Sequence, residues 1–277
     1  MTKIAILYIG IGKYSVMWDD FFESAEKYFL SDNKYEKNYF VFTDDPILLN
    51  SNLSRVKFIE VNNFGWPGNT LYRFHMFDLI NEDLKYYDFC YFFNANALFI
   101  KPLSEELIPR EGSDMIFAKH FRFEKSNPLQ FPLDRNKKST AYVEWGDEGK
   151  DYIQACFFGA KTSRFLDITK TPKKNIEIDD SNGICALWHD ESHLNKYIIN
   201  KTYTIIDYTF VYPESLTLSY PPNLLMRSKE RYASLSSLRG IQNKGKFNLV
   251  SNKIKNKKYK LWCEFNIIKY KIRMQFK

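Results

Sequence analysis

Apolar residues along the first hundred positions follow two alternating periods. KIAILYI (3–9), NYFVFTDD (38–45), RVKFIEV (55–61) and FCYFFN (89–94) are short runs rich in aromatic and β-branched residues, the pattern of strands. Between them, SVMWDDFFESAEKYFL (15–30) and TLYRFHMFDLINEDL (70–84) space their apolar residues as helices do, the first with a serine at its start. Strands alternating with helices predict an α/β chain with a mainly parallel, twisted sheet and helices on both faces. Ligands of such sheets sit beyond the carboxyl ends of the strands. That rule puts GIGKY (10–14), Thr43–Asp45 and Asn94–Asn96 on one rim. Residues 120–139 are loop-rich. DYIQACFFGAK (151–161) predicts a strand leading to a close-packed turn at Gly159–Ala160. ALWHDESHLNKYIIN (186–200) predicts a helix with Asp190 and Glu191 in its first turn, and YTIIDYTFVY (203–212) a strand.

Composition adds bounds. A chain of 277 residues with 44% hydrophobics fits one large α/β domain or two small ones. Aromatics at 17% suit a large core and also a groove that stacks sugars and bases. The formal charge of +7 is uneven: eleven Lys/Arg face one acid, Glu264, between Lys244 and Lys277, a local +10 that leaves −3 elsewhere. The pI is therefore no argument for a nucleic-acid partner, and none is expected. The basic segment mixes Lys with Trp, Phe, Ile and Tyr. It reads equally as a contact for an anionic membrane surface or as a solvated tail. Cys90, Cys156, Cys185 and Cys263 are scattered with no C-x-x-C, which reads as reduced, buried thiols. No signal peptide precedes KIAILYI, and no window reaches about 18 uninterrupted apolar residues. The expectation is a cytoplasmic protein, with peripheral contact at the inner face of the cytoplasmic membrane if the tail binds there.

Four clusters carry candidate chemistry. GIGKY lacks a third glycine and a ribose-binding acid, so it is no dinucleotide fingerprint. Asn94-Ala95-Asn96 stands where many sugar-nucleotide enzymes hold Asp-x-Asp. Residues at i and i+2 on a strand end point the same way. Neutral amides are poor ligands for a hard dication, but they hydrogen-bond sugar or ribose hydroxyls. WHDESHLN (188–195) holds two carboxylates, two imidazoles and an indole. His189 and His193 have i, i+4 spacing, but not the H-E-x-x-H order of a zinc protease. Trp188 beside Asp190 and Glu191 suits a sugar, with an apolar face for the ring and acids for its hydroxyls. MRSKER (226–231) sets Arg227, Lys229 and Arg231 at alternate positions, either as a solvated loop or as a cationic lining for a diphosphate.

Together these residues resemble glycosyltransferase family 6, which includes the histo-blood-group A and B transferases, the α1,3-galactosyltransferases and bacterial relatives. The resemblance runs from about Lys3 to about Arg231. It rests on Gly12-Lys13-Tyr14, VFTD (41–44), WPGNTLYRF (66–74), YFFNANALF (91–99), STAYV (139–143), YIQACFFGA (152–160), WHDESHLNKY (188–197) and MRSKE (226–230). It implies a GT-A fold over residues 1–240, with a nucleotide-binding half to about 100 and an acceptor-binding half from 101, followed by the basic tail 241–277. It also implies retaining transfer of galactose or N-acetylgalactosamine from UDP to the 3-OH of a β-galactoside, often fucosylated. The N-x-N form is similar to bacterial members that work without metal, so no cofactor is expected.

Residue by residue, the resemblance implies that Ile9, Ile11 and Tyr14 hold uridine. Arg73, Asn94, Asn96, Gln154, Ala155, Cys156, Asp190, Arg227 and Lys229 contact the rest of the donor. His120, Trp188 and Glu191 contact the acceptor, although the family's His-Pro-Gly is here His120-Phe121-Arg122. Glu191 acts at the reaction centre. A non-catalytic sugar-binding protein on the same fold is the alternative.

Overall fold

The computed structural model describes residues 1–238; the basic tail lies outside the described residues. Ten strands are present: β1 (Thr2–Gly10), β2 (Tyr35–Thr43), β3 (Val56–Glu60), β4 (Phe89–Phe93), β5 (Ala97–Phe99), β6 (Met115–Lys119), β7 (Ile153–Lys161), β8 (Thr204–Ile206), β9 (Tyr212–Pro213) and β10 (Leu224–Met226). The helices are α1 (Trp18–Tyr28), α2 (Pro46–Leu49), α3 (Gly65–Leu71), α4 (Arg73–Asp78), α5 (Asn81–Leu84), α6 (Thr162–Ser181), α7 (Asp190–Ile198) and α8 (Leu235–Leu238). Seven strands form one sheet in the order β3-β2-β1-β4-β7-β6-β8. All pairs are parallel except those of β7, which runs against both β4 and β6. This is a GT-A-like, doubly wound sheet. The chain lays β2 and β3 to one side of β1 and β4 to the other. The carboxyl ends of β1 and β4 therefore flank a topological switch point.

Both faces of the sheet are covered, so its central strands are apolar on both sides. Side chains alternate along a strand. Ile4, Ile6 and Tyr8 of β1, with Tyr91 and Phe93 of β4, pack on Trp18, Phe21 and Ala25 of α1. Ala5 and Leu7, with Cys90 and Phe92, pack on the other face against Phe74 and Phe77 of α4, Phe165 of α6 and Leu194 of α7. A small antiparallel-parallel sheet, β5-β10-β9, pairs Met226 with Ala97. That pairing carries Arg227 alongside the turn that follows β4.

Several expected elements differ. The Gly12–Met17 stretch is a 3₁₀ helix containing Ser15, and α1 starts only at Trp18. Gly12 has φ +57, and its N–H donates to Asp44 Oδ1 (2.6 Å), so the strand-to-helix turn needs its glycine. The helix expected over 70–84 is broken into α3, α4 and α5. The strand expected over 203–212 shortens to β8 and then gives way to a 3₁₀ helix, Tyr208–Val211. β6 and the twenty-residue α6, which carries Pro172 within it, had no strong sequence pattern.

Gly159–Ala160 is not a turn; both residues lie inside β7. The close packing is real, however. A Cβ on Gly159 would sit 2.3 Å from the ring of Tyr91, which is fully buried and donates its hydroxyl to Leu107 O (2.9 Å). The ring has no room to retreat. Gly159→Ala is expected to destabilise the fold by about 1–3 kcal/mol, the usual cost of overpacking. Chemical denaturation measures this, and an unchanged midpoint would mean that Tyr91 can leave the strand face.

Candidate active site

An open cleft with a volume of about 280 Å³ lies over the carboxyl ends of β1 and β4. One end is walled by Ile9, Ile11 and Tyr14, which follow from β1. Lys229 Nζ lies 5.2 Å above the Tyr14 ring and also faces the cleft. The floor is the turn between β4 and β5, where both Asn94 and Asn96 line the cleft. They belong to a turn rather than a strand end, closed by a bond from Ala97 N–H to Asn94 O (2.9 Å). Asn96 is 6% exposed. Its Nδ2 donates to Arg227 O (2.8 Å), while its Oδ1 has no partner. Trp188, 40% exposed, stands at the mouth.

The far wall is the first half of β7. The last rung with β4 joins Phe93 to Phe157, and residues 153–156 run past it. Their backbone groups still require partners, and side chains supply them. Asn195 of α7 accepts from Ile153 N–H (2.9 Å) and donates to Ile153 O (3.0 Å). Glu191 accepts from Ala155 N–H (3.0 Å) and from the Tyr152 hydroxyl (2.9 Å). Arg73 Nη1 donates to Ala155 O (2.6 Å), and Asn94 N–H to Cys156 O (2.9 Å). These bonds hold Glu191 and Arg73 at fixed places on the wall, where Gln154, Ala155 and Cys156 also face the cleft. The side-chain Oε1 of Gln154 is buried without a partner.

Asp190 is 2% exposed. Its Oδ2 lies 3.2 Å from Arg73 Nε, but without hydrogen-bond alignment, because Nε donates to Thr70 O instead. The Arg73 guanidinium also stacks 4.6 Å over Phe92. Burial raises Asp190 to about 6 against the pull of Arg73. Burial raises Glu191 to about 7, opposed by the Ala155 N–H and reinforced by the charge of Asp190. Removing Arg73 would strand a buried carboxylate, a change that typically costs about 3–5 kcal/mol. His189, at the start of α7, has φ +55, a strained value for a residue with a Cβ. Trp188 before it is exposed, and Asp190 after it is buried.

Three expectations need correction. Arg227 is 3% exposed and does not line the cleft; its guanidinium is committed to Asp20, Tyr232 and backbone carbonyls beneath the floor. Arg231, the third cation of MRSKER, is paired with Glu214 (2.7 Å). His120 stands behind Tyr152, ring centroids 5.9 Å apart, rather than in the cleft. Its Nδ1 accepts from Arg122 N–H, and burial lowers it to about 4. The thiols are not all buried: Cys90 and Cys156 are, but Cys185 is exposed, 3.4 Å from His189 Nδ1.

The zinc reading loses its geometry. His189 precedes the helix and faces the cleft, whereas His193 is 1% exposed against Asp179 (3.8 Å). Among the described residues, no three His, Cys, Asp or Glu side chains converge as metal ligands. Trp66, edge-on to His189 at 5.3 Å, lines the cleft, and sequence reasoning gave it no role of its own. Tyr152, buried behind the wall where it holds Glu191, carried no signal beyond its place in an apolar strand.

A doubly wound GT-A-like sheet with an acid-bearing cleft at its switch point is a scaffold on which sugar-nucleotide glycosyltransferases are built. A sequence model of glycosyltransferase family 6 matches residues 1–229, and the chain belongs to that family. It is 31% identical to the O-antigen biosynthesis glycosyltransferase WbnI of Escherichia coli over 228 residues, 82% of this chain and 95% of that protein. It is 28% identical to the histo-blood group ABO system transferase 2 of Rattus norvegicus over 242 residues, 84% and 69% of the two. It is 26% identical to the globoside alpha-1,3-N-acetylgalactosaminyltransferase 1 of Homo sapiens over 245 residues, 85% and 68%. The protein is thus a glycosyltransferase acting on UDP-sugar donors. No helix among the described residues is long and apolar enough to cross a membrane.

The two raised carboxyls make a pH prediction. If Glu191 acts as a carboxylate, activity is low while it is protonated and rises as pH climbs through the folded values. The acid limb of kcat/KM should then have an apparent pKa between about 6 and 7, shared by the pair. Asp190→Asn removes the like charge that raises Glu191 and leaves Arg73 to lower it. The limb should move to lower pH. An unmoved limb would separate Asp190 from the group that titrates.

Proposed function

We propose that this glycosyltransferase moves galactose or N-acetylgalactosamine from UDP to the 3-OH of a β-galactoside, with retention and without metal. A fucosylated or lipid-linked acceptor in surface polysaccharide or lipo-oligosaccharide synthesis fits the reading. An O-antigen biosynthesis enzyme among its relatives supports that setting. The observation that carries the proposal is a single cleft lined by Glu191, Lys229, Asn94 and Asn96.

Ile9, Ile11 and Tyr14 take the uracil and ribose. The donor C1–O bond breaks through an oxocarbenium-like state, and negative charge gathers on the leaving diphosphate. Lys229 neutralises it, with Arg73 behind. Two aspartates in place of Asn94 and Asn96 would repel that charge in the absence of a dication. Glu191, held by Ala155 N–H and the Tyr152 hydroxyl, faces the positive centre. A glycosyl-enzyme route and same-face attack by the acceptor both use this arrangement. Trp188 offers its exposed face to the acceptor ring. Residues 1–100 form the nucleotide half and 101–240 the acceptor half in this reading, and the basic tail beyond contacts an anionic membrane at about 1 kcal/mol per basic residue.

UDP release with a β-galactoside acceptor tests the reading against a non-catalytic sugar-binding protein. Turnover should survive excess EDTA and gain little from Mn²⁺. Activity abolished by EDTA and restored by Mn²⁺ would sink metal independence. Glu191→Gln should lower kcat at least ~10²-fold with UDP binding nearly intact. Lys229→Ala should cost about 1.5–3 kcal/mol in transition-state stabilisation. Normal kinetics in either variant removes that residue from the chemistry.

Cys156, 7% exposed on the donor wall, takes room that an N-acetyl group would need. UDP-galactose is therefore expected to be the better donor. A pocket change of this size is worth about 1–3 kcal/mol, so both donors should react to some degree. Side-by-side kcat/KM values decide it, and a preference for the N-acetyl donor would overturn the argument from bulk.

A further inference from the structure

Beneath the cleft floor lies a cation that the proposed chemistry does not use. Arg227 is 3% exposed, and its side chain collects the carbonyls of the turn above it. Nη2 donates to Ala95 O (3.4 Å) and Ala97 O (3.4 Å), and also to Met17 O (3.2 Å) ahead of α1; Nε reaches Asn96 O (3.5 Å). Nη1 is shared between Asp20 of α1 and the Tyr232 hydroxyl. Its peptide closes on Asn96 as well. Arg227 N–H donates to Asn96 O (2.8 Å), and Asn96 Nδ2 donates to Arg227 O (2.8 Å).

This clasp decides which end of the Asn96 amide the ligand meets. A carbonyl oxygen accepts and cannot donate, so Asn96 must point Nδ2 at Arg227 O. Its Oδ1 is then the atom left over, buried, unpartnered and on a cleft-lining residue. An unpaired buried acceptor is unfavourable until something donates to it. Phosphate oxygens only accept, so they cannot satisfy it. A sugar or ribose hydroxyl can.

We infer that Arg227 is a positioning residue. It holds the 94–97 turn from beneath so that Asn96 presents an acceptor to a hydroxyl of the donor, and it does not itself touch the diphosphate. The inference rests on the cleft being the UDP-sugar site. It separates two cations that the sequence places two residues apart: Lys229 faces the ligand, and Arg227 faces the floor.

The test is a double-mutant cycle of Arg227→Lys with Asn96→Ala, read in kcat and in calorimetric Kd for UDP and for UDP-galactose. Lysine keeps the charge but cannot span the carbonyls that the guanidinium fork reaches. Arg227→Lys should leave the UDP Kd within about 3-fold, weaken the preference for UDP-galactose over UDP, and lower kcat at least ~10-fold. In the Asn96→Ala background it should cost no more than about 2-fold further, because both changes remove the same contact. A merely structural role would make the two losses multiply. A UDP Kd raised more than ~10-fold in Arg227→Lys would instead mean direct phosphate contact. Either result overturns the inference, as does unchanged kcat. If Arg227→Lys fails to fold, Asp20→Asn loosens the same guanidinium from its exposed partner, 58% accessible. It should show the same non-additivity at about 3-fold amplitude, and additive losses there count equally against the inference. Should no acceptor be found, the proposed transfer fails on its own account, and the UDP-galactose Kd cycle still decides the role of Arg227.

Discussion

Every buried peptide group needs a hydrogen-bond partner, and in this protein that requirement builds the active site. β7 is longer than the ladder that β4 offers it, so Ile153–Cys156 extend past the last rung. The unpaired groups are taken by Asn195, Glu191, Arg73 and the backbone of Asn94. Three separate segments, α7, α4 and the turn after β4, converge on β7 because it outruns its neighbour. The Glu191 carboxylate is placed by strand geometry rather than by loop packing, and its position is as firm as the sheet. Loss of any one partner would leave a buried peptide group unsatisfied, so fold and site share the same bonds.

Charge is distributed through the cleft in layers. Arg73 sits in the wall against Asp190, Lys229 faces the cavity, and Arg227 lies beneath the floor among carbonyls. Each has a different surrounding, and hence a different part to play at one formal charge. The buried acids are pushed up by desolvation more than Arg73 pulls them down, which places their titration near neutral pH.

Much of this was legible along the chain. The β-period runs at 3–9, 38–45, 55–61 and 89–94 located four strands, and the rule for ligands at strand ends selected the rim that became the cleft. WHDESHLNKY marked the acids, because a Trp-acid cluster at a helix start is unusual chemistry in so short a span. Gly159–Ala160 was correctly read as close packing but wrongly as a turn, since a glycine that relieves a clash and one that bends the chain look alike in sequence. The helix at 162–181 was hidden by its Pro172 and weak apolar periodicity, and tertiary packing on α4 and α7 decides it.

Sequence alone determined the class of sheet, the strand ends that flank the cleft and the residue types available there, because periodicity and local chemistry are short-range properties. It could not determine which way each of those residues points. Arg227 and Lys229 lie two positions apart with similar chemistry. Only the pairing of β10 with β5 sends one under the 94–97 turn and leaves the other to the cleft. In the same way, the amide of Asn96 is polarised by a carbonyl 131 residues away. Orientation of this kind is fixed by contacts between distant segments, and the strands must first be laid side by side before such contacts exist.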